Sequence, residues 1–117
     1  MTTMVLMILV FTGGNIGSKE NYIGNIIAYP NPFNNRTENL TLAKTGPVDF
    51  AATDNVRYLV YNFSMQQVYE GSASGKVVWN GFDSNGQRLR PGLYYIRLIV
   101  TESDGSIASG FLKVLIK

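Results

Sequence analysis

Trp79-Asn80-Gly81-Phe82-Asp83-Ser84-Asn85-Gly86-Gln87-Arg88-Leu89-Arg90-Pro91-Gly92-Leu93-Tyr94-Tyr95-Ile96-Arg97-Leu98 decides how this chain folds. A strand runs into Trp79. A polar loop punctuated by glycine follows, and a longer strand leaves from Gly92. Asp83-Ser84-Asn85-Gly86 and Pro91-Gly92 are turn signals with a mechanism. Gly86 takes a positive φ without a Cβ clash, and Pro91 fixes its own φ. Leu93 to Thr101 reads as the longest strand. Alternation puts Tyr94, Ile96, Leu98 and Val100 on one face and Leu93, Tyr95, Arg97 and Ile99 on the other. The first set is the core face, because Arg97 is costly there without a partner.

Downstream, Glu102-Ser103-Asp104-Gly105-Ser106 is a hairpin turn, and Ile107 to Ile116 returns antiparallel. Leu112, Val114 and Ile116 face inward; Lys113 and Lys117 face out. Upstream, Gly75 to Trp79, Gln67 to Glu70 and Arg57 to Asn62 read as strands from their β-branched and aromatic content. A short turn at Phe63-Ser64-Met65 joins the last two. Val48 to Ala51 reads as a further short strand after a Gly46-Pro47 turn, and Leu40 and Leu42 alternate as another. Ile26 to Tyr29 enters Pro30-Asn31-Pro32-Phe33. Two missing N–H donors bar that step from a central ladder, so it crosses between sheets or lies on an edge, with Phe33 as a plug. No segment of useful length has helical periodicity. Seven or eight short strands with regular turns indicate an all-β sandwich.

The chain has 117 residues, enough for one core. Hydrophobic content of 45% against 15% charged residues marks an ordered domain. The net charge of +2 is spread along the chain and forms no nucleic-acid footprint. Histidine and cysteine are both absent. Their absence excludes disulfides, thiolate or imidazole metal ligands, a cysteine nucleophile and a Ser-His-Asp triad within this chain. No carboxylate pair has catalytic spacing, so neither an enzyme nor a cofactor site is expected.

Residues 1–25 form an N-terminal part and 26–117 the sandwich. Met4 to Phe11 is a continuous apolar run, too short to span a bilayer as a helix. It reads either as a buried strand, with Val5, Leu6, Ile8, Leu9 and Val10 as assembly residues, or as the apolar core of a signal peptide. No Lys or Arg precedes it, as a signal peptide would have. Asn15 to Asn25 reads as a linker.

Several residues carry a sharper and a plainer reading. Trp79 is either a recognition aromatic or a core plug, and a single Trp at a strand end favours the plug. Asp83 to Gly86 has half of a calcium loop without its distal Glu, which favours an ordinary Asx turn. Tyr95 with other tyrosines makes a weak candidate for a carbohydrate platform. Arg88 and Arg90 read as a solvated loop face. Asn35-Arg36-Thr37, Asn39-Leu40-Thr41 and Asn62-Phe63-Ser64 match the N-glycosylation pattern, as chance allows among 11 asparagines.

Four pieces in order carry a family resemblance. They are Tyr29-Pro30-Asn31-Pro32-Phe33-Asn34; Val60-Tyr61-Asn62 with Val68 beyond; Trp79-Asn80-Gly81-x-Asp83-x-x-Gly86-x-x-Leu89-x-x-Gly92-Leu93-Tyr94-Tyr95-x-Arg97-Leu98; and Lys113-Val114-Leu115-Ile116-Lys117. This series resembles the type A C-terminal sorting domains of type IX secretion cargo and the related Ig-like domain of the flagellar hook-capping protein FlgD. The family commonly has glycine in the turn where this chain has Met65. The resemblance implies a seven-stranded Ig-like sandwich without catalytic activity, and the fold expected is therefore an all-β, Ig-like antiparallel sandwich with a Greek-key connection across the Pro-Asn-Pro corner. It makes Pro30, Asn31, Pro32, Phe33, Trp79, Gly81, Asp83, Gly86, Gly92 and Tyr94 the fold signature. It makes Gly110 to Lys117 an export signal, with Lys113, Val114, Leu115, Ile116 and Lys117 read by the secretion machinery.

Two functions are expected. One is a secretion-sorting or attachment module, exported to the cell surface, medium or periplasm. The other is a structural subunit joined to neighbours, including copies of itself, by its N-terminal strand. Both imply protein partners, with no nucleic acid and no membrane span.

Overall fold

The computed structural model describes residues 20–22, 26–44 and 49–117. Eight strands follow in order: β1 (Glu20–Tyr22), β2 (Ile26–Tyr29), β3 (Leu40–Lys44), β4 (Asn55–Tyr61), β5 (Gln67–Ser74), β6 (Val77–Trp79), β7 (Gly92–Thr101) and β8 (Ile107–Ile116). One sheet has the order β1-β8-β7-β4-β5 and the other β2-β3-β6. The seven strands β2 to β8 pair antiparallel, and β1 adds in parallel to the edge of β8. Strands distant in sequence lie side by side, β3 with β6 and β4 with β7. These crossovers between sheets give the expected Ig-like Greek-key sandwich.

The core forms where alternation predicts. Tyr94, Ile96, Leu98 and Val100 of β7 meet Val56, Tyr58 and Val60 of β4 and Val114 and Ile116 of β8. Leu40, Leu42, Val77 and Trp79 come from the facing sheet, and Phe33 and Phe50 fill its ends. Each full aliphatic or aromatic burial contributes about 1.5–3 kcal/mol. The opposite residues of β7 lie on the outer face. There Tyr95 is nonetheless only 4% exposed. Its ring stacks on Phe111 of β8, centroids 5.9 Å apart and planes within 8°. Buried in this way, Tyr95 offers no open ring to a sugar.

Three details differ from the sequence reading. Residues 49–51 are not a strand; Asp54 instead closes a turn, its N–H donating to Ala51 C=O at 2.9 Å and its carboxylate accepting from Ala51 N–H at 3.2 Å. Phe50 enters the core from that turn. Glu20–Tyr22 lies inside the stretch read as a linker, yet pairs with Ile107–Ser109. A three-residue strand leaves too short a pattern to read. The strand read from Gly75 begins at Val77, because Gly75 turns the chain with φ +77°. Met4 to Phe11, with Val5, Leu6, Ile8, Leu9 and Val10, lies outside the described residues, as do Gly46-Pro47 and Val48.

Asn62 to Gln66 forms the β4–β5 turn. The Asn62 side-chain carbonyl accepts from the N–H groups of Ser64 and Gln66, both at 2.9 Å. Met65 pivots the turn at φ 63°, a left-handed conformation that a side chain resists. The Met65 side chain is substantially exposed and has little packing to lose. Met65→Gly should therefore raise the unfolding free energy by about 0.5–1 kcal/mol, net of the extra freedom of the unfolded glycine. Urea titration of the two proteins checks this, and Met65→Ala should show no comparable gain.

Candidate functional site

The C-terminal strand and the corner that grips it form the candidate site. β8 alternates by side-chain direction, so its last residues divide into two sets. Val114 and Ile116 are buried, whereas Lys113, Leu115 and Lys117 are exposed, Leu115 at 44%. A protein approaching the folded domain meets a basic–apolar–basic row.

The outer edge of this strand end is already paired. Phe33 N–H donates to Leu115 C=O, and Lys117 N–H donates to Phe33 C=O, both at 2.9 Å. Asn31 extends the pairing with its side chain. Its carbonyl accepts from Leu115 N–H at 2.9 Å and its amide donates to Lys113 C=O at 3.1 Å. Both X–Pro bonds of Tyr29-Pro30-Asn31-Pro32 are cis. The segment leaves β2 in the three-stranded sheet and bonds to β8 in the five-stranded sheet before returning to β3.

Phe33 is fully buried, its ring 5.9 Å from that of Trp79 at 58°. The Trp79 ring also lies 6.1 Å from Tyr69, and its Nε1–H donates to Phe82 C=O at 3.1 Å. The loop beyond Trp79 is held by side-chain amides and carboxylates. Asp83 Oδ1 accepts from the N–H groups of Asn85 and Gln87, both at 2.9 Å, and Gly86 takes φ +79°. That is Asx-turn geometry. Arg88 lies over the Phe82 ring at 5.3 Å. Past Pro91 and Gly92, the Tyr94 hydroxyl donates to Arg90 C=O at 2.8 Å, the tyrosine-corner arrangement of Ig-like sandwiches.

Asn35 is the residue the sequence reading underrated. It lies in one of the three glycosylation patterns, but its amide is buried and donates to Gly81 C=O at 3.0 Å and Leu89 C=O at 2.9 Å. Gly81 must be glycine here. Its φ is +82°, and an added Cβ would lie 2.5 Å from Asn35 Cβ. Nothing in a lone Asn-x-Thr pattern signals this lock, which joins residues 46 and 54 positions apart.

A shallow, open depression beside this lock is lined by Asn35, Arg36, Glu38, Asn39, Asn80 and Phe82. Besides Asn35, two of its polar side chains are engaged within the protein. Glu38 accepts from Asn34 N–H at 2.7 Å and Asn80 from Phe82 N–H at 3.0 Å. Among the described residues no cluster of three or more carboxylates could hold a metal ion, and no helix is long and apolar enough to cross a membrane.

Tyr58 has the largest resolved proton-affinity shift. Burial pushes its phenol up to about 12 from 10.0, and the neighbouring Tyr69, with ring centroids 5.9 Å apart, adds to this. Its hydroxyl donates to Val78 C=O at 3.3 Å, linking the sheets.

No protein-family model matches the chain, and no curated protein does. Solved structures do match. One is PorZ, described as an essential bacterial surface component of the type-IX secretion system of Porphyromonas gingivalis; the TM-score is 0.52 at 19% identity, covering 79% of this chain and 11% of PorZ. Another is dimeric latent PorU of the same organism, with TM-score 0.57 at 20% identity, covering 79% of this chain and 9% of PorU. FlgD of Xanthomonas campestris, a hook-capping protein, aligns at TM-score 0.42 and 19% identity over 80% of this chain and 70% of FlgD, too loosely to bear on the fold. The chain spans about a tenth of the length of PorZ and PorU, and what it shares with them is the sandwich fold.

Two measurements test the geometry. Asn35→Ala removes both buried amide bonds and should lower the unfolding free energy by about 2–3 kcal/mol in urea. The phenol of Tyr58 has a higher pKa folded than unfolded, so its stability contribution is full below pH 10.0 and is lost as pH rises towards about 12. Thermal midpoints should show that fall, and Tyr58→Phe should reduce it.

Proposed function

We propose that the chain is a non-catalytic Ig-like module of an exported protein, and that its C-terminal strand serves as an export or attachment signal. The observation that carries this reading is the division of β8. Val114 and Ile116 hold the strand in the core, while Lys113, Leu115 and Lys117 present one outward row. Asn31 and Phe33 occupy the outward backbone groups at the same residues. A reader of this end therefore recognises side chains on a rigid strand rather than adding a strand of its own. Two ammonium groups flanking an apolar side chain suit an acidic groove with an apolar floor. The partner is a protein of the secretion machinery, and the destination is the cell surface or medium. The fold shared with parts of PorZ and PorU supports this choice of machinery.

A second reading is a structural subunit joined to neighbours by the apolar run Met4 to Phe11. It is favoured by the direction of β1. That strand runs parallel to β8 with Glu20 opposite Ile107, so its first residue lies at the hairpin end of the five-stranded sheet, away from the Lys113–Lys117 end. The two functions would use opposite ends of the domain.

A reporter fused ahead of the full chain, in a host with type IX secretion, should reach the surface or medium. Lys113→Glu/Lys117→Glu should stop this while leaving the unfolding free energy within about 0.5 kcal/mol, as expected for exposed residues. Export that survives the double substitution sinks the signal reading.

A further inference from the structure

The two edges of the five-stranded sheet are unlike. Hydrogen bonding of Phe33 to Leu115 and Lys117 shows that odd residues of β8 turn their backbone groups outward. Antiparallel pairing alternates, so the parity carries across the sheet. Even residues of β8 bond to β7, odd residues of β7 bond to β4, and even residues of β4 bond to odd residues of β5. The even residues of β5 therefore face away from the sheet. Val68 agrees, since its C=O accepts from Ser84 N–H at 2.9 Å. Beyond that contact, the outward N–H and C=O groups of Glu70, Ser72 and Ser74 have no backbone partner among the described residues.

This edge also lacks the usual guards. β5 reads Gln67-Val68-Tyr69-Glu70-Gly71-Ser72-Ala73-Ser74, with no Lys and no Pro. Its one charge, Glu70, is paired with Arg57 at 2.6 Å. Tyr69 and Ala73, on the core side, are only partly buried, so an added strand with apolar side chains would cover them. Met4 to Phe11 has the composition such a strand needs, uncharged and apolar at every position.

We propose that the Glu70–Ser74 edge of β5 accepts Met4 to Phe11 of a second copy of this chain, as an added strand that extends the five-stranded sheet. This rests on the assembly reading above and names its acceptor. A second copy is the donor because self-closure leaves the connecting residues almost no slack. From β1 to a position beyond β5 is five strand spacings, about 24 Å. Self-closure would need the eight residues between Phe11 and Glu20 drawn out fully, to about 26–29 Å, with almost nothing spare to turn round the end of the sheet. A neighbour carries no such limit.

The full chain in sedimentation should form species of at least twice the mass of one chain. Deleting residues 1–14 and, separately, Ser72→Pro should each return it to single-chain mass. The Ser72 N–H points outward, so proline there spares the β4–β5 ladder. The protein has no cysteine, so chains carrying Ile8→Cys mixed with chains carrying Ser72→Cys should oxidise to mixed dimers; this arm stands even if Ser72→Pro fails to fold. Oligomers abolished by the deletion but kept in Ser72→Pro, with no mixed dimers, overturn the β5 acceptor and leave the assembly reading intact. A single-chain mass for the unsubstituted protein overturns both. Disulfides only between two Ser72→Cys chains show edge-to-edge pairing and overturn the donor.

Discussion

The backbone of Phe33 makes two hydrogen bonds to β8 while its ring lies against Trp79 in the core. One residue thereby fixes the last strand, the crossing from one sheet to the other, and the strand end from which the long loop departs. Asn31 widens the grip by using its side-chain amide as a stand-in for a peptide group, with one acceptor and one donor on alternate residues of β8. Proline can sit on both sides of Asn31 because neither missing N–H is needed there. Asn35 then returns from the same segment to hold the loop after Trp79 at Gly81 and Leu89. A stretch of five residues, Asn31 to Asn35, thus ties together the C-terminal strand, the core and the loop. Truncating Phe33 would remove a buried aromatic worth about 3–5 kcal/mol, a large part of the 5–15 kcal/mol typical of a whole domain.

Much of this was legible in the sequence, and the reason is periodicity. The faces of β7 and β8 follow directly from alternation around Arg97 and around Lys113 and Lys117. The Asx turn at Asp83 and the plug at Phe33 follow from local chemistry. What alternation could not show is contact between distant positions. The Asn35 lock is written only as one asparagine among 11. Tyr95 was assigned to the outer face correctly, yet its burial under Phe111 depends on a cross-strand neighbour whose register no local pattern gives. The false strand at 49–51 failed for the converse reason. Phe50 looked like part of an apolar run, but Asp54 competes for the Ala51 backbone and closes a turn.

The two edges of the large sheet bear on function more than any concavity does. At the end of β8, Asn31 and Phe33 occupy the Lys113 carbonyl, both peptide groups of Leu115 and the Lys117 N–H, and the outward information lies in the side chains of Lys113, Leu115 and Lys117. At β5, the peptide groups from Glu70 to Ser74 face outward and the side chains are small or neutralised. A side-chain row discriminates among partners by charge and shape, because a wrong partner strands an ammonium group without its counter-charge. An open edge discriminates poorly by itself, since every extended chain offers the same N–H and C=O groups; selectivity must come from the faces of the incoming strand. An apolar donor suits β5 because the partly buried flanks of Tyr69 and Ala73 reward apolar cover, while the Glu70–Arg57 pair leaves no net charge to attract a polar competitor. The closed edge is thus fitted to recognition and the open one to assembly, and a single sandwich can carry both without either disturbing the core between them.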